Sequence, residues 1–393
     1  MINLNTMNSG IKYSERLSKT SIKSGEIYGN RYRLVKSLGK GGYGCVWECE
    51  DMQQDNQKLA IKILPPHHIN PRSLQRFYDE IKIMNEHGGN SFIMPIYSWY
   101  TPKHYNKNSK RQCYYVMPIA KGDGLMLLGA SMITKIQAIK DIFDVLEYLH
   151  SNQIAHRDIK LQNILLYQDK YILSDYGLVT YPNKKQITRW REPIGPFENF
   201  DPLASFSQDI HDSLHSQIDI YEFAKVIWTL LSGKKGPSFR GQYNHCGIES
   251  IRRYLPKRYS SHKLDRLLTI STSLDINERP TIIQMKKMFE EWWSENQDHT
   301  CCHDLLWKDL LYRIFPEHIP ECAFWVQYKS IKQLLKIFAE YQMCFKCSNK
   351  NYWQELLSYA KEKQNTESCV IQYCNNSFVI NFNKTCTLTL KKK

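Results

Sequence analysis

The spacing of apolar residues in this 393-residue chain changes near Gly124 from period two to about 3.6, and that change limits the folds open to it. From Arg31 to about Met117 the apolar runs are short: RYRLVKSLG, GCVWECED, KLAIKIL, FIMPIYSWY and CYYVMPI. Each is closed by Gly, Pro or Asn, so the pattern predicts five strands. A single helical stretch interrupts them, PRSLQRFYDEIKIMNEHGG, with Pro71 near its start and Gly88-Gly89 at its end. After Gly124 the period lengthens to about 3.6, and Ile133, Ile136, Ile139, Phe143, Leu146 and Leu149 share one helical face. IDIYEFAKVIWTLLSG is apolar nearly all round and stops at Ser232-Gly233, as a helix in the centre of a domain would. A small strand-rich lobe therefore precedes a larger helical one, and MPIAKGDG joins them.

Outside these lobes the sequence has a different character. Residues 1–27 are polar and aperiodic, which predicts a flexible leader. Beyond about residue 296, two amphipathic helices are expected around SIKQLLKIFAEYQ and YWQELLSYAKEK. Alternation at Phe378, Ile380, Phe382, Leu388 and Leu390, with Asn375-Asn376 between runs, then predicts a β-hairpin or meander.

The formal charge is +14, which favours acidic partners such as nucleotide phosphates; basic residues scattered over solvated faces are the blander reading. Nucleic-acid binding is not expected. No apolar run approaches the length of a membrane-spanning helix, and from the first residues neither a secretory signal nor N-myristoylation is expected. Twelve cysteines without such a signal read as reduced thiols in a cytoplasmic setting; were the source a pathogen, export into a host cell would be the variant to test.

Several stretches carry chemistry. LGKGGYGCVWE fits G-x-G-x-x-G-x-V through Gly39, Gly41, Gly44 and Val46, and such glycines let a hairpin backbone approach phosphate oxygens. A dinucleotide-binding fold would need that pattern to open a helix, and here a strand rich in Val and Trp follows. Lys62 sits between Ile61 and Ile63, where a charge is costly unless paired. Glu80 on the next helix is the natural partner, with Asp79 as its rival and an exposed Glu80 as the plainer alternative.

With AHRDIKLQNILL a family resemblance becomes plain. His156, Arg157, Asp158 and Asn163 match H-R-D-L-x-x-x-N, with Ile159 for Leu, and SDYGL matches D-F-G with Tyr176 for Phe. The chain resembles a eukaryotic-type serine/threonine protein kinase over residues 28–295. That implies an α+β bilobal kinase fold: a five-stranded N-lobe with one helix over 28–117, a hinge at 118–124 and a helical C-lobe over 125–295. A small C-terminal α/β appendage over 296–393 would follow it.

The resemblance also implies roles. Leu38, Gly39, Gly41, Gly42, Gly44, Val46, Ala60 and Leu165 would enclose ATP, and Lys62, held by Glu80, would bind its α- and β-phosphates. Met117 would be the gatekeeper, and adenine would bond to the Pro118 carbonyl and the Ala120 amide. Asp158 would orient or deprotonate the acceptor hydroxyl, with Lys160 meeting the γ-phosphate as in serine/threonine kinases. Asn163 and Asp175 would hold Mg2+, or Mn2+ in its place. His156 is expected to be structural, packing near Tyr176, with Gly177 closing the D-Y-G stretch.

The following segment, with TRW, resembles the cyclin-dependent and MAP kinase group, where T-R-W-Y-R-A-P-E occurs. Asp219 would be the structural aspartate of the buried helix, and Arg279 in NERPT would pair with the A-P-E glutamate. Glu192 and Glu198 both qualify for that place, and the long gap to Asp219 predicts an insertion around DPLASFSQDIHDSLHS. Arg157 suggests control by a phosphate on Thr180, Tyr181 or Thr188, although Thr188 is better read as an acceptor-pocket threonine.

Eight of the twelve cysteines follow residue 300. Cys344 and Cys347 form C-x-x-C, with Cys301, Cys302, His303, Cys369 and Cys374 around it. These could together hold zinc, but a strong zinc signal would be two C-x-x-C pairs and only one is present, so buried unliganded thiols are the preferred reading over zinc. Trp307, Trp325, Trp353 and Phe338 supply apolar mass for an appendage that docks on the large lobe or recruits a partner. The protein acceptor is not named by the sequence. An active serine/threonine kinase is the leading expectation, ahead of a nucleotide-binding scaffold or a kinase for a non-protein acceptor.

Overall fold

The computed structural model describes residues 22–40, 44–102, 113–182, 184, 201–202, 215–256 and 259–297, and strands within 324–392. The chain forms two compact units, one running to Gly241 and including Ser271–Ile283, the other comprising Gln242–Ile270 and the residues from Gln284 onward.

In the first unit, β1 (Ile27–Tyr28), β2 (Tyr32–Lys40), β3 (Cys45–Asp51), β4 (Gln57–Ile63), β5 (Ser98–Tyr100) and β6 (Tyr114–Met117) form one antiparallel sheet, ordered β1-β2-β3-β4-β6-β5. The five expected strands are present, FIMPIYSWY contributing only its last three residues, and β1 is an addition. β1 was outside the sequence pattern because two residues carry no alternation. Residues 25–26, at the end of the expected leader, bond to β2 through Gly25 N–H to Leu34 O (2.8 Å) and Leu34 N–H to Glu26 O (2.9 Å). Tyr32, Leu34, Cys49, Leu59, Ile61, Ile63 and Val116 form the buried side of this sheet. Each large aliphatic among them contributes about 1.5–3 kcal/mol by leaving water.

The helix α1 (Pro71–His87) begins where Asn70 accepts hydrogen bonds from the N–H groups of Arg72 and Ser73, while Pro71 needs no N–H in the first turn. It buries Leu74, Phe77, Ile81, Ile83 and Met84, and with them Asp79 and Glu80. Ser131 caps α2 (Met132–Ser151), whose face of Ile136, Ile139, Phe143, Leu146 and Leu149 is buried as its period requires. Ile133 departs from that face: at the first turn it lies beyond the core and is 74% exposed. α3 (Ser216–Ser232) is buried continuously from Ile218 to Leu231 and ends at Gly233, whose φ of 66° a glycine adopts without steric cost. A small sheet joins β7 (Gly122–Asp123) to β8 (Ile164–Tyr167) and β9 (Lys170–Leu173), the last two lying between the catalytic-loop motif and the D-Y-G motif.

The second unit contains most of α4 (His262–Ser271) and α5 (Ile282–Gln297). Met285, Phe289 and Trp292 of α5 are fully buried, and the Trp292 indole donates to the Ser260 carbonyl at 2.7 Å. The expected hairpin or meander is a four-stranded antiparallel sheet, ordered β10-β13-β12-β11, from β10 (Phe324–Gln327), β11 (Ser368–Tyr373), β12 (Asn376–Phe382) and β13 (Thr387–Lys392). The two amphipathic helices expected around residues 330–363 lie outside the described residues, as do all the singled-out zinc candidates except Cys369 in β11. Among the described residues, no helix is long and apolar enough to cross a membrane.

Candidate active site

Strand pairing sets out the upper wall of a cleft. Val46 on β3 lies opposite Lys62 on β4, and Ala60 lies opposite Met117 on β6. A Cβ on Gly44 would stand 3.0 Å from the Ile63 carbonyl oxygen, so any larger residue there would force the neighbouring strand to give way. A cavity of about 810 Å3 lies beneath, lined by Leu38, Gly39, Gly44, Val46, Ala60, Lys62, Glu80, Met117, Pro118, Ala120, Lys160, Asn163, Leu165, Asp175 and Tyr176, among others. Gly41, Gly42, Thr188, Glu192 and Glu198 lie outside the described residues.

Lys62 Nζ donates to both carboxylate oxygens of Glu80, at 2.7 and 2.8 Å, and to Asp175 Oδ1 at 3.1 Å. Burial disfavours the ammonium, but Asp175 and Glu80 outweigh it and hold the Lys62 pKa well above its ordinary value. Burial likewise opposes the charge on Asp175, and Lys62 again prevails, keeping that carboxylate below its usual range. Of the two acids weighed for Lys62, Glu80 is therefore the partner.

The lower wall is the catalytic-loop motif, suspended from α3. Asp219 accepts the backbone N–H of His156 at 2.8 Å and of Arg157 at 2.7 Å, and its Oδ2 lies 2.9 Å from His150 Nε2. One turn further on, Glu222 accepts the N–H of Ile159 at 2.7 Å. Asp158 between them is buried; Lys160 Nζ stands 2.8 Å from its Oδ2, and Asn163 Nδ2 donates to its Oδ2 at 2.9 Å and its carbonyl at 2.8 Å. Asn163 thus spends its amide N–H on Asp158, leaving the amide oxygen, like the Asp175 carboxylate, as a hard oxygen donor in the same cavity. That pair fits a divalent cation that prefers oxygen.

His156 Nε2 donates to the Ser174 carbonyl at 3.0 Å, its Nδ1 accepts from Asp158 N–H at 3.3 Å, and its ring lies 5.1 Å from that of Tyr176. These contacts join the two motifs. Arg157 and Asp175 both hold φ near 65°, a strained conformation for a non-glycine residue, costing about 1–3 kcal/mol each. Asp219 restrains one and Lys62 the other. Burial pushes the Arg157 guanidinium down to about 10, and its Nε and Nη2 have no hydrogen-bond partner among the described residues. The Gly177 position, by contrast, has room: a Cβ there would meet Asp175 Oδ1 at 3.5 Å.

Glu192 and Glu198, weighed from sequence as partners of Arg279, lie outside the described residues, and among the described residues the carboxylate that meets Arg279 is an aspartate. That residue is Asp201, with Nη1–Oδ2 at 2.5 Å and Nη2–Oδ1 at 3.2 Å, both side chains fully buried. Asp201 opens the stretch read from sequence as an insertion, so part of that stretch belongs to the core. Sequence reasoning also passed over Glu222, whose signal was available: an acid three residues after Asp219 in a helix otherwise almost wholly apolar. Asp201 left no comparable local sign.

The cleft, with a sheet and one helix above and a helical lobe below, has the bilobal α+β arrangement that the motifs lead one to expect. The family model for the protein kinase domain matches residues 32–293, and the chain belongs to that family. A serine/threonine-protein kinase, PknA, of Nostoc is 36% identical over 53% of this chain and 38% of its own length. A probable serine/threonine-protein kinase, YbdM, of Bacillus subtilis is 28% identical over 42% of the chain and 62% of its own length. Mitogen-activated protein kinase 15 of Caenorhabditis elegans is 28% identical over 38% of the chain and 31% of its own length. The chain thus spans less than two thirds of each of these relatives.

Proposed function

We propose that this chain is a serine/threonine protein kinase that transfers the ATP γ-phosphate to a protein hydroxyl. The observation carrying this reading is the convergence of Lys62, Glu80, Asn163 and Asp175 on one cavity, with Asp158 bonded to Lys160 and Asn163 at its edge. Phosphoryl transfer asks for positioning and charge neutralisation more than for covalent work by the protein, and these groups supply both.

In this reading Lys62, fixed by Glu80, meets the α- and β-phosphates, while the Pro118 carbonyl and the Ala120 amide bond adenine. Asp158 orients the acceptor hydroxyl and receives its proton. Lys160 faces the γ-phosphate, with its ammonium already against the Asp158 carboxylate. Mg2+ held by Asn163 and Asp175 would neutralise phosphate charge. The relatives' names, all serine/threonine or mitogen-activated kinases, support the acceptor class. A reducing intracellular setting is our reading of where it works, resting on its cysteine content.

The test is mass spectrometry of purified protein and a generic protein acceptor after incubation with Mg-ATP, beside Asp158→Asn and Lys62→Ala. Phosphoserine or phosphothreonine with wild type and with neither variant is the expected result. Intact Mg-ATP binding with no phosphate transferred by any form would overturn the reading.

A further inference from the structure

Asp79 and Glu80 are consecutive on α1 and fix that helix to two different parts of the molecule. Glu80 reaches Lys62 on β4. Asp79, 1% exposed, turns to the segment after the D-Y-G motif. Its Oδ1 accepts from the Tyr181 hydroxyl at 2.8 Å and from Gln75 Nε2 at 3.0 Å, and Lys184 Nζ lies 2.8 Å from its Oδ2. Lys184 also donates to the Val179 carbonyl. Lys82, on the next turn of α1, stands 4.0 Å over the Tyr181 ring, and Lys184 stands 5.5 Å from it. Just before Tyr181, paired backbone bonds between Ala155 and Thr180, 3.0 and 2.9 Å, tie the segment to the residues leading into the catalytic loop.

We propose that Asp79 is a positioning residue: with Tyr181 and Lys184 it holds α1 where Glu80 meets Lys62, using unmodified side chains alone. This deepens the kinase reading and rests on it. Adjacent helical residues turn together, so an outward shift or rotation of α1 that frees Asp79 also withdraws Glu80. Asp219 and Glu222 offset the charge of Arg157 from the α3 side, and Asp79 meets Lys184 from the α1 side. Lys184, Arg157 and Arg76 stand within electrostatic range of one another, and Asp79 is the carboxylate that meets Lys184 among the described residues. Removing its charge takes away the carboxylate that Lys184 meets while Arg157 and Arg76 still repel the ammonium, which drives residue 184 away from α1. No phosphate is needed in this cluster, because a carboxylate from α1 supplies the negative charge.

The experiment uses the full chain, stripped by a phosphatase and verified by intact mass, with two readouts: turnover on a protein acceptor and calorimetric affinity for Mg-ATP. The unmodified wild type is expected to retain its rate. Asp79→Asn and Lys184→Met should each lower kcat by about tenfold and weaken Mg-ATP, the double variant being no worse than the poorer single one, because the two act through one contact. Asp79→Glu should recover most of the loss, and Tyr181→Phe gives a milder version should the charge variants fail to fold. Collapse of the rate on phosphate removal, or turnover and affinity indifferent to Asp79→Asn, Lys184→Met and Tyr181→Phe, overturns the proposal. If no form transfers phosphate yet these substitutions weaken Mg-ATP together, the kinase reading fails and the positioning role stands.

Discussion

Glu222 is fully buried, accepts one catalytic-loop amide through Oε2, and has no hydrogen-bond partner for Oε1 among the described residues. Burial, with Asp219 next to it, raises its carboxyl well above the ordinary range. A group whose folded pKa is raised contributes stability that is complete below the unfolded value and is lost as pH climbs through the folded one. Glu222→Gln keeps an acceptor for Ile159 N–H and removes the titration. Its advantage in unfolding free energy over wild type should therefore grow between about pH 5 and pH 8; urea melts at the two pH values measure it, and a gap widening towards acid would refute the assignment. Glu222→Ala leaves a buried amide without its partner, at a cost of about 1–3 kcal/mol. Because that amide follows Asp158, kcat should fall more than the affinity for ATP.

Helices α2 and α3 were legible from their apolar pattern, α2 burying the face its period spells out and α3, apolar nearly all round, being buried along its length. Asp201 was not: its partner Arg279 is 78 positions away, and no spacing rule links them. The same holds for Asp79, which sequence could offer only as the rival of Glu80 because both lie on the inward side of one helix. With both side chains of the Asp201–Arg279 pair fully buried, removing one strands the other, and Asp201→Asn should cost about 3–5 kcal/mol in denaturant unfolding. A loss below 1 kcal/mol, within the range of exposed pairs, would show that the pair does not hold this region. Lys225, also on α3, donates to the Phe239 carbonyl at 2.9 Å, and burial pushes its pKa down to about 8. The folded state then sheds its proton before the unfolded chain does, so stability should rise from about pH 8 to pH 10 in wild type. Lys225→Met should lack that rise.

Across the whole molecule, the two-lobed plan was visible because the apolar period changes near Gly124, and the cleft-lining residues were visible because their motifs are short and contiguous. The appendage was less legible. Its meander follows from alternation, but the pairing of β10 with β13 joins Phe324 to Leu390 across a long stretch of chain and has no local signature. The ligand linkage of the cleft is measurable on the intact chain. Mg-ATP at a hundred times its Kd should add about 2.7 kcal/mol to stability. In a domain of this size that raises the unfolding midpoint by about 5–10 °C. Asp175 and Asn163 present oxygen donors that favour a hard cation, so EDTA should remove most of the shift, and Asp175→Asn should remove it even with Mg2+ present. Lys62→Ala should reduce the shift by a different route, through the phosphates, and so remain sensitive to EDTA. A full shift from ATP in EDTA would mean that Asn163 and Asp175 contribute no metal-dependent binding.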